Sequence, residues 1–288
     1  MASFIEKLEK RAYNTPGGLL CVGIDPHIDT HMHTRPSEAQ QDLYNRCVQL
    51  IQQTHTHAIA YKPNLAFFMA SGLDGLSVLK KVCDYIPNDI PTLLDCKCGD
   101  IGSSSEMYVH SYYNILGVDG VTVHPYMGED SIKPFIKHTN KGVFILSKTS
   151  NMGSNMSQHT THAHTQLPLY LHIARTYKNI AQKAIEEGEQ LACIGLVVGA
   201  TAPHELKNVR KEWPNVWILS PGLGAQQADL YSTLKAGLRE DGHGLILPIS
   251  RGITQHQDAR KAAEEWHTLI NNTKQEILQE TCAQTYAI

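Results

Sequence analysis

The sequence predicts an α/β fold, a closed (β/α)8 barrel, and three observations support it. Short apolar, β-branched runs recur, each followed by a polar turn and a longer amphipathic segment, as in βα units around a parallel sheet. Eight such runs can be counted. Ionisable residues and glycines gather at their C-terminal ends, where a barrel builds its active site. The competing doubly wound sheet would place a G-x-G-x-x-G turn after the first strand, and none follows it.

The predicted strands are "LLCVGID" (19–25), "AIAYKP" (58–63), "PTLLDCK" (91–97), "GVTVH" (120–124), "GVFILS" (142–147), "IGLVVG" (194–199), "VWILS" (216–220) and "GLILPIS" (244–250). Helices are expected over 38–55, 73–85, 103–116, 129–138, 167–187, 203–212, 225–238 and 255–280, and an opening helix over 3–13 is placed to cap the barrel's bottom. No internal repeat and no Pro-, Gly- or Ser-rich linker divides the chain, so residues 1–288 are expected to form one domain. One connection is long: "SKTSNMGSNMSQHTTHAHTQLP" (147–168) is a polar loop after the fifth strand. Loops of that length in compact domains are usually functional, and this one would project from the C-terminal face.

Composition narrows the function. Hydrophobic residues make up 42% and charged residues 18%, enough apolar material for a large core. A formal net charge of -3 lacks the positive excess of a nucleic-acid or anionic-membrane binder. No run reaches the 18 or so apolar residues of a membrane span, and the charged opening "MASFIEKLEKRAYN" lacks the apolar stretch of a signal peptide. The expectation is a soluble, cytoplasmic protein. Seven scattered cysteines, an odd number lying mostly in apolar runs, read as buried thiols rather than a disulfide framework. Cys96 and Cys98 form C-x-C without a second pair, so a structural zinc site is not expected. Sixteen histidines cluster in "HIDTHMHT" (27–34), "THTH" (54–57) and "HTTHAH" (159–164). Their irregular spacing, with no H-E-x-x-H, reads as solvated loops rather than metal ligands.

The chemistry concentrates in "LLDCKCGDIG" (93–102). Strand alternation puts Leu93, Asp95 and Lys97 on one face and Cys96 and Cys98 on the other. Asp100 then falls on the following loop, where Gly99 lets the chain turn. The plainer reading is a strand-end ion pair with Asp100 capping the next helix. Asp25 and Lys62 also end strands, however, and charges converging on one mouth must be paired, which points to a site. A second constellation lies in "LSPGLGAQ" (219–226) and "LPISRGI" (247–253). Gly222 and Gly224 free backbone amides to approach an anion, a helix starting near Ala225 would present its positive end, and Arg251 adds a two-pronged donor. Phosphate often binds a barrel in its last two loops.

In order, "VGIDPH", "YKPNLAFF", "LLDCKCGDIGSSSEMY", "GVDGVTVHPYMG", "SKTSN", "LVVGAT", "LSPGLGAQ" and "ISRGI" resemble the orotidine 5'-phosphate decarboxylase family, in its longer, second subfamily. The resemblance covers most of the chain and implies a TIM barrel of the phosphate-binding group. It also implies cofactor-independent decarboxylation of orotidine 5'-phosphate to UMP, the last step of de novo pyrimidine synthesis. Lys62, Asp95, Lys97 and Asp100 would form the catalytic charge network, with Lys97 protonating C6. Asp100 would enter the neighbouring subunit's site, making a homodimer the working unit. Asp25 would contact the ribose hydroxyls, Ser150 the pyrimidine and carboxylate region, and Pro221 the base. Gln226, Arg251 and the Ser250 amide would hold the phosphate. No metal or cofactor is implied, and in some lineages the domain is fused to orotate phosphoribosyltransferase. Met152 departs from the family's pattern, standing where proline is expected just before the His-rich insertion. Two rivals use similar residues: a Mg2+-dependent sugar-phosphate decarboxylase of the same barrel group, and a Schiff-base aldolase. A lysine between carboxylates stays protonated, which disfavours the aldolase.

Overall fold

The computed structural model describes residues 2–14, 17–27, 36–224 and 226–286. Helix α1 (Phe4–Tyr13) starts on a capping box in which Ser3 Oγ accepts from Glu6 N while Ser3 N donates to the Glu6 carboxylate. Then come β1 (Leu20–Ile24), α2 (Pro36–Thr54), β2 (Ala60–Pro63), α3 (Leu65–Met69) and α4 (Gly72–Tyr85). β3 (Leu93–Cys98) leads into α5 (Gly102–Val109), which widens into a π-helical segment, His110–Leu116. β4 (Gly120–Val123), α6 (Glu129–Ile136), β5 (Gly142–Lys148), the short α7 (Asn155–Gln158) and α8 (Leu169–Glu186) follow. The chain continues through β6 (Cys193–Val198), α9 (Pro203–Glu212), β7 (Ile218–Leu219) and α10 (Leu230–Gly237), and ends with β8 (Leu245–Ile249), α11 (Arg251–Thr254) and α12 (Ala259–Tyr286).

The eight strands are parallel in the order β2-β1-β8-β7-β6-β5-β4-β3. Parallel bridges Tyr61–Thr92 and Asn64–Asp95 join the two ends and close the barrel. Alternation along the strands sorts the core into two layers. Leu93, Phe144, Val197, Trp217 and Ile246 fill the barrel, whereas Leu94, Val121, Val143, Ile145 and Leu196 pack outward beneath the helices. α1 plugs the bottom: Phe4 is fully buried and meets Phe144 edge-on, with ring centroids 5.6 Å apart. With the bottom closed by apolar side chains, polar groups are left to the mouth at the strands' C-terminal ends.

All eight predicted strands and the capping helix are present, but four local expectations change. The stretch 103–116 is α-helical only to Val109. The last predicted helix, 255–280, splits into α11 and α12. The 147–168 loop is more structured than its polarity suggested, with a 3-10 turn at Met152–Ser154, then α7, then a Thr161–Pro168 bridge. α10 begins at Leu230, not near Ala225, which lies outside the described residues. Gly222, Gly224 and Gln227 all have positive φ, which a helix cannot include, and the helix starts only where Asp229 accepts from Ser232 N at 2.8 Å. All of the histidine stretch 27–34 except His27 also lies outside the described residues.

Candidate active site

Asp95 is the hub of the mouth. Its Oδ2 accepts from Lys62 Nζ at 2.8 Å and its Oδ1 from Lys97 Nζ at 2.5 Å. The Thr122 hydroxyl donates to Oδ1 at 3.1 Å and accepts from the backbone N–H groups of Cys96 and Lys97 at 3.1 and 3.0 Å. Lys62 is buried and Asp95 nearly so, whereas the Lys97 side chain is half exposed. Burial opposes the Lys62 charge, but Asp95 and then Asp25 outweigh it and raise its pKa above the usual lysine value. Burial also opposes ionisation of Asp95, yet Lys62 and Lys97 outweigh it and hold the carboxyl well below the usual range. The triad is therefore a carboxylate between two ammonium groups, one fixed in the wall and one free to reach into the mouth.

The strand does not keep strict alternation here. Leu94 pairs with Val121 and Cys98 with Val123, so β3 carries two extra residues in a bulge, and Lys97 adopts φ 46°. A non-glycine residue in the left-handed region is strained, and such strain gathers at functional sites. The bulge turns Lys97 out of the ladder. Asp100 does not join the triad. Its described contacts are local: Oδ1 accepts from Ile101 N at 2.7 Å, and its carbonyl accepts from Ser105 Oγ of α5 at 2.8 Å. It provides no side-chain cap to α5. Within this chain Lys97 is flanked by Asp95 alone, because the turn after Cys98 carries Asp100 away.

The other expected residues ring the same mouth. Asp25 follows β1, and its Oδ1 is buried without a hydrogen-bond partner among the described residues. Ser250 follows β8 and packs where a side chain on Gly23 would sit; its Oγ is likewise buried and unpartnered. Arg251, the first residue of α11, is exposed. Pro221 O accepts from Ala200 N at 2.8 Å, which sets the β7 turn against the β6 turn. Gly222 has φ 124°, and a Cβ there would meet Gln226 Oε1 at 3.1 Å. Gln226 thus lies against this turn, and the helix that was expected here starts only at Leu230. Ser150 O accepts from Thr201 Oγ1 at 3.2 Å, and a Cβ on Gly199 would strike the Ser150 backbone at 2.8 Å.

Two contributors were missed in the sequence. Thr122, a polar residue inside "GVTVH", could have been suspected as an inward neighbour of Asp95. Lys148 is buried and donates to Ser154 Oγ and, at 3.0 Å, to Asn155 Oδ1. Burial lowers its pKa, opposed by Glu205. Together with Gln158, which bonds Thr149 at both ends of its amide, it pins the first half of the long loop. His159 lies 2.9 Å from Glu205, and His162 stacks on His172 at 3.7 Å, so these imidazoles pack the loop. Among the described residues no three His, Cys, Asp or Glu side chains are grouped to hold a metal.

Fold and site together define a (β/α)8-barrel protein with a Lys–Asp–Lys network at its C-terminal mouth. Residues 18–266 match the orotidine 5'-phosphate decarboxylase / HUMPS family, and the chain belongs to it. It is 38% identical over 276 residues to the orotidine 5'-phosphate decarboxylase of Roseiflexus castenholzii, covering 93% of this chain and 97% of that one. The solved OMP decarboxylase of Leishmania donovani superposes with a TM-score of 0.81 at 38% identity, over 94% of this chain and 98% of that one. Leishmania donovani UMP synthase superposes with a TM-score of 0.85 at 39% identity, over 95% of this chain but 57% of that one.

Proposed function

We propose that this chain decarboxylates orotidine 5'-phosphate to UMP and CO2 without a cofactor, the last step of UMP biosynthesis. The observation that carries the mechanism is Asp95 shared between the wall-bound Lys62 and the half-exposed Lys97. When the bond from C6 to the carboxylate breaks, its electron pair stays on C6, where no neighbouring carbonyl can take it up as a simple enolate. Fixed positive charge must stabilise it. The Lys97 ammonium is that charge and the proton donor: it gives a proton to C6 and recovers one from solvent. Two opposite charges about 4 Å apart attract by roughly 4 kcal/mol at an effective dielectric near 20, and more once substrate excludes water from the mouth. Asp95 keeps Lys97 protonated and aimed, and Lys62 keeps Asp95 ionised and in place.

Binding follows the ring of the mouth. The buried, unpartnered Asp25 Oδ1 suits donation from ribose hydroxyls. Gln226, Arg251 and the Ser250 amide grip the phosphate, Pro221 lies against the base, and Ser150 contacts the pyrimidine and its carboxylate. Phosphate binding far from C6 supplies energy that orders the long loop over the site. Asp100, whose carboxylate stays clear of the triad, serves the site of a second subunit. Exposed apolar residues on the neighbouring third and fourth βα units, Ile101, Met107, Tyr126 and Met127, suit the shared face of such a homodimer. Among the described residues no helix is long and apolar enough to cross a membrane, and we read the enzyme as cytoplasmic. Association with an orotate phosphoribosyltransferase, which makes orotidylate, fits the same reading.

The test is an absorbance assay for loss of orotidylate, with and without EDTA. UMP formation unchanged by the chelator is expected. A protein inert towards orotidylate, or one silenced by EDTA, contradicts the proposal and in the second case favours the metal-dependent rival.

A further inference from the structure

The sulfurs of Cys96 and Cys98 lie 3.7 Å apart, on either side of Lys97. In a regular strand two residues rise about 6.6 Å, near the upper limit of the Cα separation a disulfide tolerates. Here the bulge and the left-handed Lys97 fold the segment on itself, which draws the thiols together. Both pack with the outer core cluster rather than with the residues that fill the barrel, so neither belongs to the charge network.

We propose that Cys96 and Cys98 form a reversible disulfide that switches the site off, with hydrogen peroxide as oxidant. Cys96 is the more exposed of the two and attacks first. Its sulfur bonds to one peroxide oxygen as the O–O bond breaks, giving a sulfenic acid and one water. The Cys98 sulfur then bonds to the Cys96 sulfur and expels the hydroxyl as a second water. Two thiols are oxidised and one peroxide is reduced to two waters. The contact with Cys96, together with burial, pushes the Cys98 thiol up, so the first attack falls to Cys96.

The consequence for the site follows from the hydrogen bonds. Closing the sulfurs to about 2.05 Å removes the Cys96 thiol from Thr122 O, which it now meets at 3.2 Å. It also pulls on the Cys96 and Lys97 amides that share Thr122 Oγ1, the hydroxyl that bonds Asp95. A shift of about 1 Å in a catalytic group can cost on the order of a hundredfold in rate. A ring spanning only three residues is strained, so thiol reductants should reopen it readily.

The effect on activity rests on the role given to Lys97, whereas bond formation can be measured without it. The full chain is treated with hydrogen peroxide, alkylated, and mapped for disulfides by peptide mass, with orotidylate turnover recorded before, after, and after dithiothreitol. Cys96→Ser and Cys98→Ser, with Cys98→Ala for a site that rejects serine, test the pair, and Cys282→Ser controls for the exposed thiol. Oxidised wild type should carry the 96–98 disulfide and lose activity at least about tenfold, recovering with reductant, while the Cys96 and Cys98 variants resist. The proposal is overturned if no 96–98 bond forms in protein whose Cys282 is oxidised. It is equally overturned if the bond forms with turnover unchanged, or if Cys98→Ser loses activity as wild type does. Reduced protein without any turnover would instead contradict the decarboxylase reading, and the disulfide map would still decide the pair.

Discussion

Asp95 shows how one buried carboxylate sets the protonation of a whole mouth. Asp95→Asn leaves Lys62 buried without its main partner, and loss of one member of a buried pair costs about 3–5 kcal/mol. The pH dependence has a definite sign. The folded carboxyl titrates below its unfolded value of about 3.9, so its stabilisation is complete above that pH and is lost as pH falls towards the folded value. The gap in melting temperature between wild type and Asp95→Asn should be wide from pH 5 to 8 and should narrow below about pH 4; a gap that widens in acid contradicts the pairing. Arg251 acts on another part of the substrate. Arg251→Ala should raise KM for orotidylate at least about tenfold, the worth of one charge-assisted contact, while leaving slow turnover of unphosphorylated orotidine unaltered. Kinetics on both substrates separate a phosphate grip from a general loss of structure.

At the scale of elements, the site depends on how loops rest on one another. The β5 loop carries Ser150 and lies directly on Gly199 at the end of β6, with no room for a methyl group. Gly199→Ala should therefore displace Ser150 and lower kcat/KM on the order of tenfold or more, with a melting temperature that falls only modestly; full activity would show that Ser150 is not held by this contact. The elements themselves were largely legible in the sequence, because each strand is a compact apolar run and each helix an amphipathic one. What was hidden depends on contacts between elements. Nothing in "DCKCGD" announces that Lys97, with a side chain, would take a positive φ, or that Thr122 on the next strand would tie that bulge to Asp95. The glycines of "LSPGLGAQ" were read as freeing backbone amides, but the helix expected from Ala225 cannot include Gln227 at φ 54° and starts only at Leu230. Lys148 could not be seen because its partners lie in a loop whose polarity suggested no structure.

On the scale of the molecule, the barrel places Lys62, Asp95, Lys97, Asp25 and Arg251 at one end although they come from four separate strand ends. Asp100 is the exception, and its exclusion from the triad has a consequence for assembly. If it completes a second subunit's site, Lys97→Ala and Asp100→Ala homodimers should each be nearly inactive, and mixing them under exchange should restore about a quarter of wild-type activity, from the one intact site in half of the dimers. Absence of rescue would place the action of Asp100 within its own chain. The most direct measurement is the turnover of Lys97→Ala on orotidylate, made beside calorimetric binding of UMP. Decarboxylation should fall below detection while UMP binds within about tenfold of wild type, since the phosphate and ribose contacts lie elsewhere. A Lys97→Ala protein that still converts orotidylate to UMP at a substantial rate would contradict the role given to this lysine.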